Sequence, residues 1–315
     1  MSRPGGPPAP AGTRPRPIGA APGRPATRRR RRRRARSAWW LIAPAVLTML
    51  AVTAYPVLYA CWLSLQRYDL RFPDQRGFVG LDNYAAVLSA PVFWTDLGAT
   101  LVIAGIAVAI QLVAGFGIAL TLRRAVVGRR AVHAALLLPY GIITVVAAFA
   151  WQYAATPDLS FVSDRAWLAE RWSSFAVVIA TEVWKATPFV ALLLLAGLAA
   201  VPEELLETAE VDGASAWQRF RQVLLPGIRP VLLVVLLYRI LDSIRVFDTV
   251  FVQTDGANGT ETLSLLAYDQ LAGRLNLGLG SAVSVLLFAL SAGTALTFLL
   301  VFRADLRQLA RREER

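Results

Sequence analysis

The charged residues within the apolar part of the chain are those whose spacing could support chemistry. Arg239, Asp242, Arg245 and Asp248 follow one another at intervals of three in a largely apolar segment. Residues three apart are neighbours on a helix, and charges inside a membrane span usually face a bundle interior or a water-filled cavity. The spacing therefore predicts either a path for a polar solute or a ladder of ion pairs that lets the helix pack.

A second set of candidate residues combines charge with aromatic rings. Glu182 and Lys185 are also three apart, which predicts an ion pair. Trp151 and Trp184 could stack on sugar rings, although packing is the commoner role of such side chains. Four residues are retained as candidates for contact with a solute: Trp151, Asp242, Arg245 and Asp248.

Enzymatic constellations are missing from the sequence. A phosphate-binding G-x-x-x-x-G-K-S/T loop needs a lysine after a glycine-rich turn, and Lys185 is the only lysine. Neither H-E-x-x-H nor G-x-S-x-G occurs. His133 is the only histidine, which excludes a site of paired histidine ligands, and Cys61, the only cysteine, allows no intramolecular disulfide. We therefore expect no catalytic residue, no metal site and no cofactor in this chain, and we do not expect an enzyme.

The composition is that of a membrane protein. Hydrophobic residues make up 56% of the 315 residues, too many for an ordinary soluble domain. A helix needs about 20 apolar residues to cross a bilayer, and runs of that length recur. We expect an all-α, polytopic membrane protein with six transmembrane helices, at Trp39–Leu63, Gly98–Leu122, Ala134–Ala155, Ser174–Ala199, Val231–Val252 and Leu279–Phe302.

The net charge of +12 is concentrated at the amino terminus. Residues 1–37 contain twelve arginines and no acidic residue, so the rest of the chain is close to neutral. Their richness in proline, glycine and arginine predicts a disordered basic tail. The run Arg28–Arg34 could bind nucleic acid or anionic lipid. The favoured interpretation is a cytoplasmic topology determinant in contact with membrane lipid, without a nucleic-acid partner.

The distribution of arginine and lysine also predicts how the chain crosses the membrane. With both termini on the cytoplasmic side, the cytoplasmic segments carry 24 cationic residues and the external loops carry 6. An excess of positive charge marks the cytoplasmic side. The prediction is a multi-pass protein with both termini in the cytoplasm and with the stretch Pro202–Pro230 on that same side.

The stretch Pro202–Pro230, the central loop, carries its own folding signals between two apolar segments. Pro202 suits the first turn of a helix, and the acidic residues that follow it lie where the helix dipole favours negative charge. Asp212-Gly213 signals a turn. Apolar residues at helical spacing then predict a second short helix over Ala214–Leu225, ended by the prolines that follow it.

The second half of the central loop resembles a known motif. E-T-A-x-x-D-G-A-x-x-x-x-x-F-x-x-x-x-L-P, from Glu207 to Pro226, is similar to the EAA loop of binding-protein-dependent ABC importer permeases, with Thr208 in place of the usual alanine. W-K-x-T-P at Trp184–Pro188 and the segment Phe78–Leu88 are similar to sugar-type permeases of that family. The resemblance implies that the loop docks on a separate ATPase through the following residues: Glu207, Ala209, Asp212, Gly213, Ala214, Phe220 and Pro226.

The resemblance also implies the fold and partners of a type-1 ABC importer permease. Its transmembrane domain would span 96–303, after a tail at 1–37 and a first helix with an external segment at 38–95, and before a cytoplasmic tail at 304–315. The chain would form half of a translocation pore for a sugar, oligosaccharide or glycerol-phosphate-like solute. It would work in a bacterial inner membrane with a second permease subunit, an ABC ATPase dimer and an extracytoplasmic solute-binding protein. The alternative is a secondary transporter driven by an ion gradient, with the fifth-span charges as its relay.

Overall fold

The computed structural model describes residues 28–124, 129–157 and 165–313, and the chain divides into two units. The first unit ends at Pro56, and the second begins at Val57. The described residues of the first unit belong to helix α1, whose bounds are Arg28–Ser64.

Helix α1 begins inside the segment that was expected to be a disordered tail. The expected boundary is residue 37, but the helix begins at Arg28, and residues 1–27 lie outside the described residues. Arginine is a good helix former, and neither glycine nor proline lies between Arg28 and Pro44. From Ile42 onward the apolar side chains of α1 are largely exposed, among them Leu47 and Met49. Such all-round apolarity suits a membrane span.

Helices make up most of the second unit. A short antiparallel hairpin comes first, with β1 (Gln66–Arg67) paired to β2 (Gly77–Phe78). The helices that follow are α2 (Asp82–Ser89), α3 (Pro91–Arg124), α4 (Arg129–Gly141), α5 (Thr144–Ala155), α6 (Arg171–Ala199), α7 (Glu203–Val211), α8 (Ala216–Arg219), α9 (Leu225–Gly227), α10 (Arg229–Ser243), α11 (Asp248–Gln253), α12 (Leu263–Tyr268) and α13 (Leu277–Glu313). A π-helical segment, Phe220–Leu224, joins α8 to α9.

The described helices provide up to six membrane spans. Four are long and apolar enough to cross a bilayer alone: Ile42–Ser64, Pro91–Arg123, Arg171–Ala199 and Leu277–Phe302. Two bent pairs pass the same test together: Ala134–Gly141 with Thr144–Ala155, and Ala216–Gly227 with Arg229–Ser243. Counting each bent pair as one span gives six, the predicted number, but the second pair begins at Ala216, inside the stretch predicted to be cytoplasmic, and ends at Ser243, short of the predicted Val252.

The third predicted span, Ala134–Ala155, is not one straight helix. α4 ends at Gly141, α5 begins at Thr144, and the two helices meet at 90°. Glycine is a common site of sharp kinks because it destabilises the helix interior. The Ile142 N–H donates to the Pro139 carbonyl, so the last turn of α4 closes before the chain changes direction.

The fifth predicted span, Val231–Val252, is also interrupted. α10 ends at Ser243 and α11 begins at Asp248, with non-helical backbone between them. The Thr262 hydroxyl donates to the Val246 carbonyl, which supplies a partner for a backbone group freed by the break, as the membrane interior requires. The prediction of one continuous helix through the four spaced charges is therefore wrong.

The core of the second unit is organised around the contact between α3 and α6. Leu194 and Leu198 of α6 are fully buried there, together with Ile228. At this contact lies Gly115, where an added Cβ would be 2.8 Å from the Cγ1 atom of Val190. Small residues allow membrane helices to approach closely, so Gly115 sets the spacing between α3 and α6.

Gly115→Val should destabilise the protein, because the new side chain would overlap Val190 and overpacking costs about 1–3 kcal/mol. Gly117 lies on the same helix, and nothing lies within 4 Å of a Cβ added there, so Gly117→Val is the matched control. Thermal unfolding of the detergent-solubilised variants, followed by size-exclusion chromatography, measures the difference. Equal unfolding midpoints for the two variants would contradict this role of Gly115.

Candidate functional site

The central loop folds as two short helices joined by a tight turn. α7 carries acidic residues in its first turn, where the helix dipole favours negative charge. Gly213 adopts a left-handed conformation with φ of 81°, which glycine reaches without a steric penalty. The N–H groups of Gly213 and Ala214 donate to the carbonyls of Glu210 and Ala209 respectively. These bonds close the end of α7 and confirm the turn predicted at Gly213.

The second helix of the central loop starts with a capping box. The Ser215 hydroxyl accepts a hydrogen bond from the Gln218 N–H, and the Gln218 side chain accepts one from the Ser215 N–H, so two donors at the helix start are satisfied. The chain then passes through Phe220–Leu224 and continues beyond Pro226 to Gly227. The prediction that Pro226 ends the helix is wrong, because this proline lies in the first turn of α9, where its missing N–H is tolerated.

One side of the central loop is held against the helix bundle. Phe220 packs edge-on against Phe116 of α3, with ring centroids 5.3 Å apart, and stacks with Trp217, also at 5.3 Å. An ion pair between Glu210 and Arg219 ties α7 to α8. The loop is therefore a structured attachment to α3 and not an extended connector.

The central loop also exposes apolar side chains. Leu205 is 54% exposed, Val211 87% and Trp217 66%. Exposed large apolar side chains, tryptophan above all, are typical anchors of protein interfaces. None of these three residues is among the contacts predicted from the sequence, although a tryptophan within a polar loop is a signal that identifies Trp217.

The residues that the resemblance assigns to ATPase contact differ in exposure. Glu207, Asp212, Gly213 and Pro226 are exposed, whereas Ala209, Ala214 and Phe220 are half-buried. Thr208, the departure from the motif, donates its hydroxyl to the Glu204 carbonyl one turn back and is accommodated without disturbing α7. Phe220 thus packs the loop onto the bundle, while the exposed residues are open to a partner. Their contact with an ATPase stays a prediction.

A second polar cluster lies inside the helix bundle, around Arg239 of α10. The Arg239 side chain is 2% exposed and donates to Gln111 at 2.9 Å, to Asp242 at 2.5 Å and to Ser243 at 3.3 Å. Gln111, fully buried on α3, donates in turn to the Glu182 carbonyl of α6 at 3.0 Å. Each guanidinium nitrogen has a partner, and the charge joins three helices.

The predicted ion pair of Glu182 with Lys185 is not formed. Glu182 accepts the hydroxyl of Thr249 on α11. The Lys185 ammonium lies 5.8 Å from the ring centroid of Tyr140 on α4, within range of cation–π attraction. The two side chains face different neighbouring helices, and each finds its partner there.

The predicted ladder of charges ends after its first pair. Arg239 pairs with Asp242, but Arg245 and Asp248 lie beyond the end of α10. Arg245 is exposed and its Nε donates to the Leu241 carbonyl at 3.3 Å, while Asp248 is half-buried at the start of α11. Asp242, whose side chain is 51% exposed, both joins the buried cluster and reaches open space.

Aromatic rings line the same helices. Trp151 of α5 contacts Trp184 of α6 with ring centroids 6.2 Å apart, and Phe189 contacts both Tyr140 and Tyr238, at 4.6 and 5.6 Å. Trp184, Tyr140 and Tyr238 are partly exposed. Tryptophan and tyrosine side chains combine an apolar face with a polar group. In the sequence, Trp184 is next to Lys185, Tyr140 is next to Pro139, and Tyr238 is next to Arg239.

Comparison with known proteins shows where this architecture belongs. Residues 84–308 match the family described as "Binding-protein-dependent transport system inner membrane component". The chain belongs to this family. The trehalose transport system permease protein SugA of Mycobacterium tuberculosis (strain ATCC 25618 / H37Rv) is 48% identical over 272 residues, 85% of this chain and 89% of SugA. The trehalose/maltose transport system permease protein MalF of Thermococcus litoralis is 37% identical over 281 residues, 84% of this chain and 94% of MalF.

A solved structure confirms the fold of this permease. The bacterial alginate ABC transporter in complex with alginate pentasaccharide-bound periplasmic protein contains a chain that superposes with a TM-score of 0.76 at 18% identity, over 87% of this permease and 96% of that chain. The predicted all-α, multi-pass fold of the type-1 importer permeases is thereby confirmed. As an inner membrane component of a transport system, the permease is a transport subunit and not an enzyme. Its family favours ATP-driven import over the ion-gradient-driven alternative.

Gln111→Leu should destabilise the permease, because it leaves the buried Arg239 guanidinium and the Glu182 carbonyl each short of a partner, at about 1–3 kcal/mol. Arg239→Met should have a similar effect. The double variant removes both polar partners, so its loss of stability should be smaller than the sum of the single losses. A thermal-unfolding double-mutant cycle in detergent measures this coupling. If the loss of stability in the double variant equals the sum of the two single losses, Gln111 does not stabilise Arg239.

Proposed function

We propose that this chain is one permease subunit of an ATP-driven importer and that the central loop is its contact with a separate ATPase. The observation that carries the proposal is that Phe220 fastens the loop to α3 while the loop leaves the apolar side chains of Leu205 and Val211 exposed. This sequence has no G-x-x-x-x-G-K-S/T loop, since its only lysine is Lys185. ATP hydrolysis is therefore assigned to the partner, and no cofactor is assigned to this chain.

Two helices connect the central loop to the polar cluster. α9 leads through the buried Ile228 directly into α10, which carries Arg239 and Asp242. α3 provides a second connection, because Phe116 contacts the loop and Gln111, just over one turn away, holds Arg239. A displacement of the loop by its partner would reach Arg239 along both helices. This contiguous packing supports a coupling role for α3 and α10.

The proposed solute is a disaccharide or short oligosaccharide. By their names, SugA transports trehalose and the Thermococcus litoralis permease transports trehalose and maltose. The exposed carboxylate of Asp242 can accept hydrogen bonds from sugar hydroxyls, and the partly exposed rings of Tyr140, Trp184 and Tyr238 offer apolar faces. A second permease subunit would complete the pore, and an extracytoplasmic solute-binding protein would deliver the sugar.

The orientation is tested by chemical labelling. Both termini and the central loop are proposed to be cytoplasmic, since that orientation would place 24 cationic residues on the cytoplasmic side against 6 on the other. In a Cys61→Ser background, Asp74→Cys should react with a membrane-impermeant maleimide in spheroplasts, whereas Glu204→Cys should react only in inverted vesicles. Both positions are exposed. The reverse pattern would remove both the orientation and the ATPase contact.

Gly213→Val should leave the permease in the membrane but weaken ATPase copurification and abolish uptake. A β-branched residue at φ of 81° is strained by about 1–2 kcal/mol. Nothing lies within 4 Å of the added Cβ, so the strain comes from the backbone and not from a clash. Gly213→Asn is the matched control, because asparagine tolerates the left-handed conformation, and it should retain most of the uptake.

The measurement is uptake of labelled trehalose by membrane vesicles that contain ATP and have collapsed ion gradients, alongside copurification of the ATPase in mild detergent. Normal copurification and uptake in Gly213→Val would refute the coupling role of the central loop. Uptake that requires an ion gradient and not ATP would refute the proposed energy source.

A further inference from the structure

An apolar groove of about 980 Å³ runs along the last part of α3, beside the central loop. Val113, Phe116 and Gly117 line it from α3, and Trp217 and Phe220 line it from the loop. Val113 is 76% exposed, and a Cβ added to Gly117 would meet no atom within 4 Å. The surface is therefore open within the second unit, and at the depth of a membrane span it must be covered by lipid or by another helix.

The apolar groove continues into a polar pocket of about 420 Å³, with which it shares Leu120, Ala216 and Leu224. The pocket carries charges of both signs: Arg123, Glu203, Glu207, Glu210 and Arg219. Glu210 and Arg219 pair with each other. The buried Nη1 atom of Arg123 has no hydrogen-bond partner, and no ion pair or hydrogen bond engages the carboxylates of Glu203 and Glu207 among the described residues. One cationic group and two anionic groups are thus left facing one pocket.

We propose that the groove and the pocket together bind one phospholipid with an ethanolamine headgroup. An acyl chain fills the groove. The phosphate pairs with Arg123 through charge-assisted hydrogen bonds. The ammonium group, which has three N–H donors, bonds to Glu203 and Glu207. The aromatic rings of Trp217 and Phe220 line the groove, and aromatic side chains are enriched at membrane–water interfaces.

The arrangement of charges favours this lipid over other occupants. A transmembrane helix of a second permease would cover the groove, but its apolar face would leave Arg123, Glu203 and Glu207 unmatched. A free anion or an anionic headgroup would match only Arg123 and would be repelled by the two carboxylates. A choline headgroup has no N–H to donate. The proposal depends on the membrane location of α3. Glu207 is also a predicted ATPase contact, but the headgroup variants Arg123→Gln and Glu203→Gln change no residue assigned to that contact, so either proposal can fail without the other.

The acyl-chain half is tested by photocrosslinking. The full-length permease, purified in mild detergent with its copurifying subunits, is placed in phosphatidylcholine nanodiscs that contain phosphatidylethanolamine with a diazirine on its acyl chain. Crosslinks should map to peptides that contain residues 112–121 or 216–224. Gly117→Leu fills the groove and should lower these crosslinks about tenfold, because the acyl chain would overlap the new side chain. Gly105→Leu, the same change on the same helix at an open position outside the groove, should leave them unchanged.

The headgroup half is tested by charge removal and competition. Arg123→Gln and Glu203→Gln should each weaken lipid binding roughly tenfold, the expected loss for a hydrogen bond to a charged group. Unlabelled phosphatidylethanolamine should compete with the probe, and added phosphatidylcholine should not. Equal crosslinking in Gly117→Leu and Gly105→Leu, or equal competition by the two lipids, would overturn the proposal. Release of a second permease subunit from Gly117→Leu but not from Gly105→Leu would show that a protein helix fills the groove, and would overturn it too.

Discussion

A guanidinium buried among membrane helices requires a partner for each of its nitrogens, and the arrangement of the permease depends on how Arg239 meets that requirement. Water is absent from the hydrocarbon core, so the partners must come from the protein. Gln111 reaches Arg239 from α3 and also holds the Glu182 carbonyl of α6, while Asp242 completes the set from α10 itself. The positions of three helices are thereby fixed relative to one another by one buried charge.

The same region of α3 carries several attachments. Gln111 accepts a hydrogen bond from the buried Arg239 side chain, and Gly115 permits the close approach of α6. Phe116 packs against Phe220 of the central loop. Gly117, which follows Phe116 on α3, lines the apolar groove. α3 is therefore the common frame of the polar cluster, the core and the central loop. A partner that moves the loop acts on a helix whose other contacts are tightly packed, which favours movement of the helix as a whole over local deformation.

What the sequence could predict follows from the range of each interaction. The presence of the long helices and the turn at Gly213 depend on local composition, and the structure confirms them, whereas the breaks after Gly141 and Ser243 were not predicted. At the interruption after Ser243, the Val246 carbonyl is bonded by the Thr262 hydroxyl, which lies 16 residues further along the chain and which the local pattern could not identify. Likewise, the spacing of Glu182 and Lys185 shows only that they are neighbours on α6. It does not show that Glu182 bonds to Thr249 and that Lys185 lies over the ring of Tyr140, because both partners come from other helices. Which side chains of the loop are exposed depends on the contact of Phe220 with Phe116, a residue far away in the sequence.

The π-helical segment Phe220–Leu224 determines an angle as well as a path. An α-helix advances about 100° per residue, and a π turn accommodates one residue more than an α turn. The direction in which the Trp217 side chain points, relative to Arg239, therefore differs from its direction in an uninterrupted α-helix of equal length. The number of residues between Gly213 and Pro226 therefore determines the direction in which the side chains of the loop point. Removing one of them would turn the outward surface of the loop away from its partner even if every residue of the motif were retained.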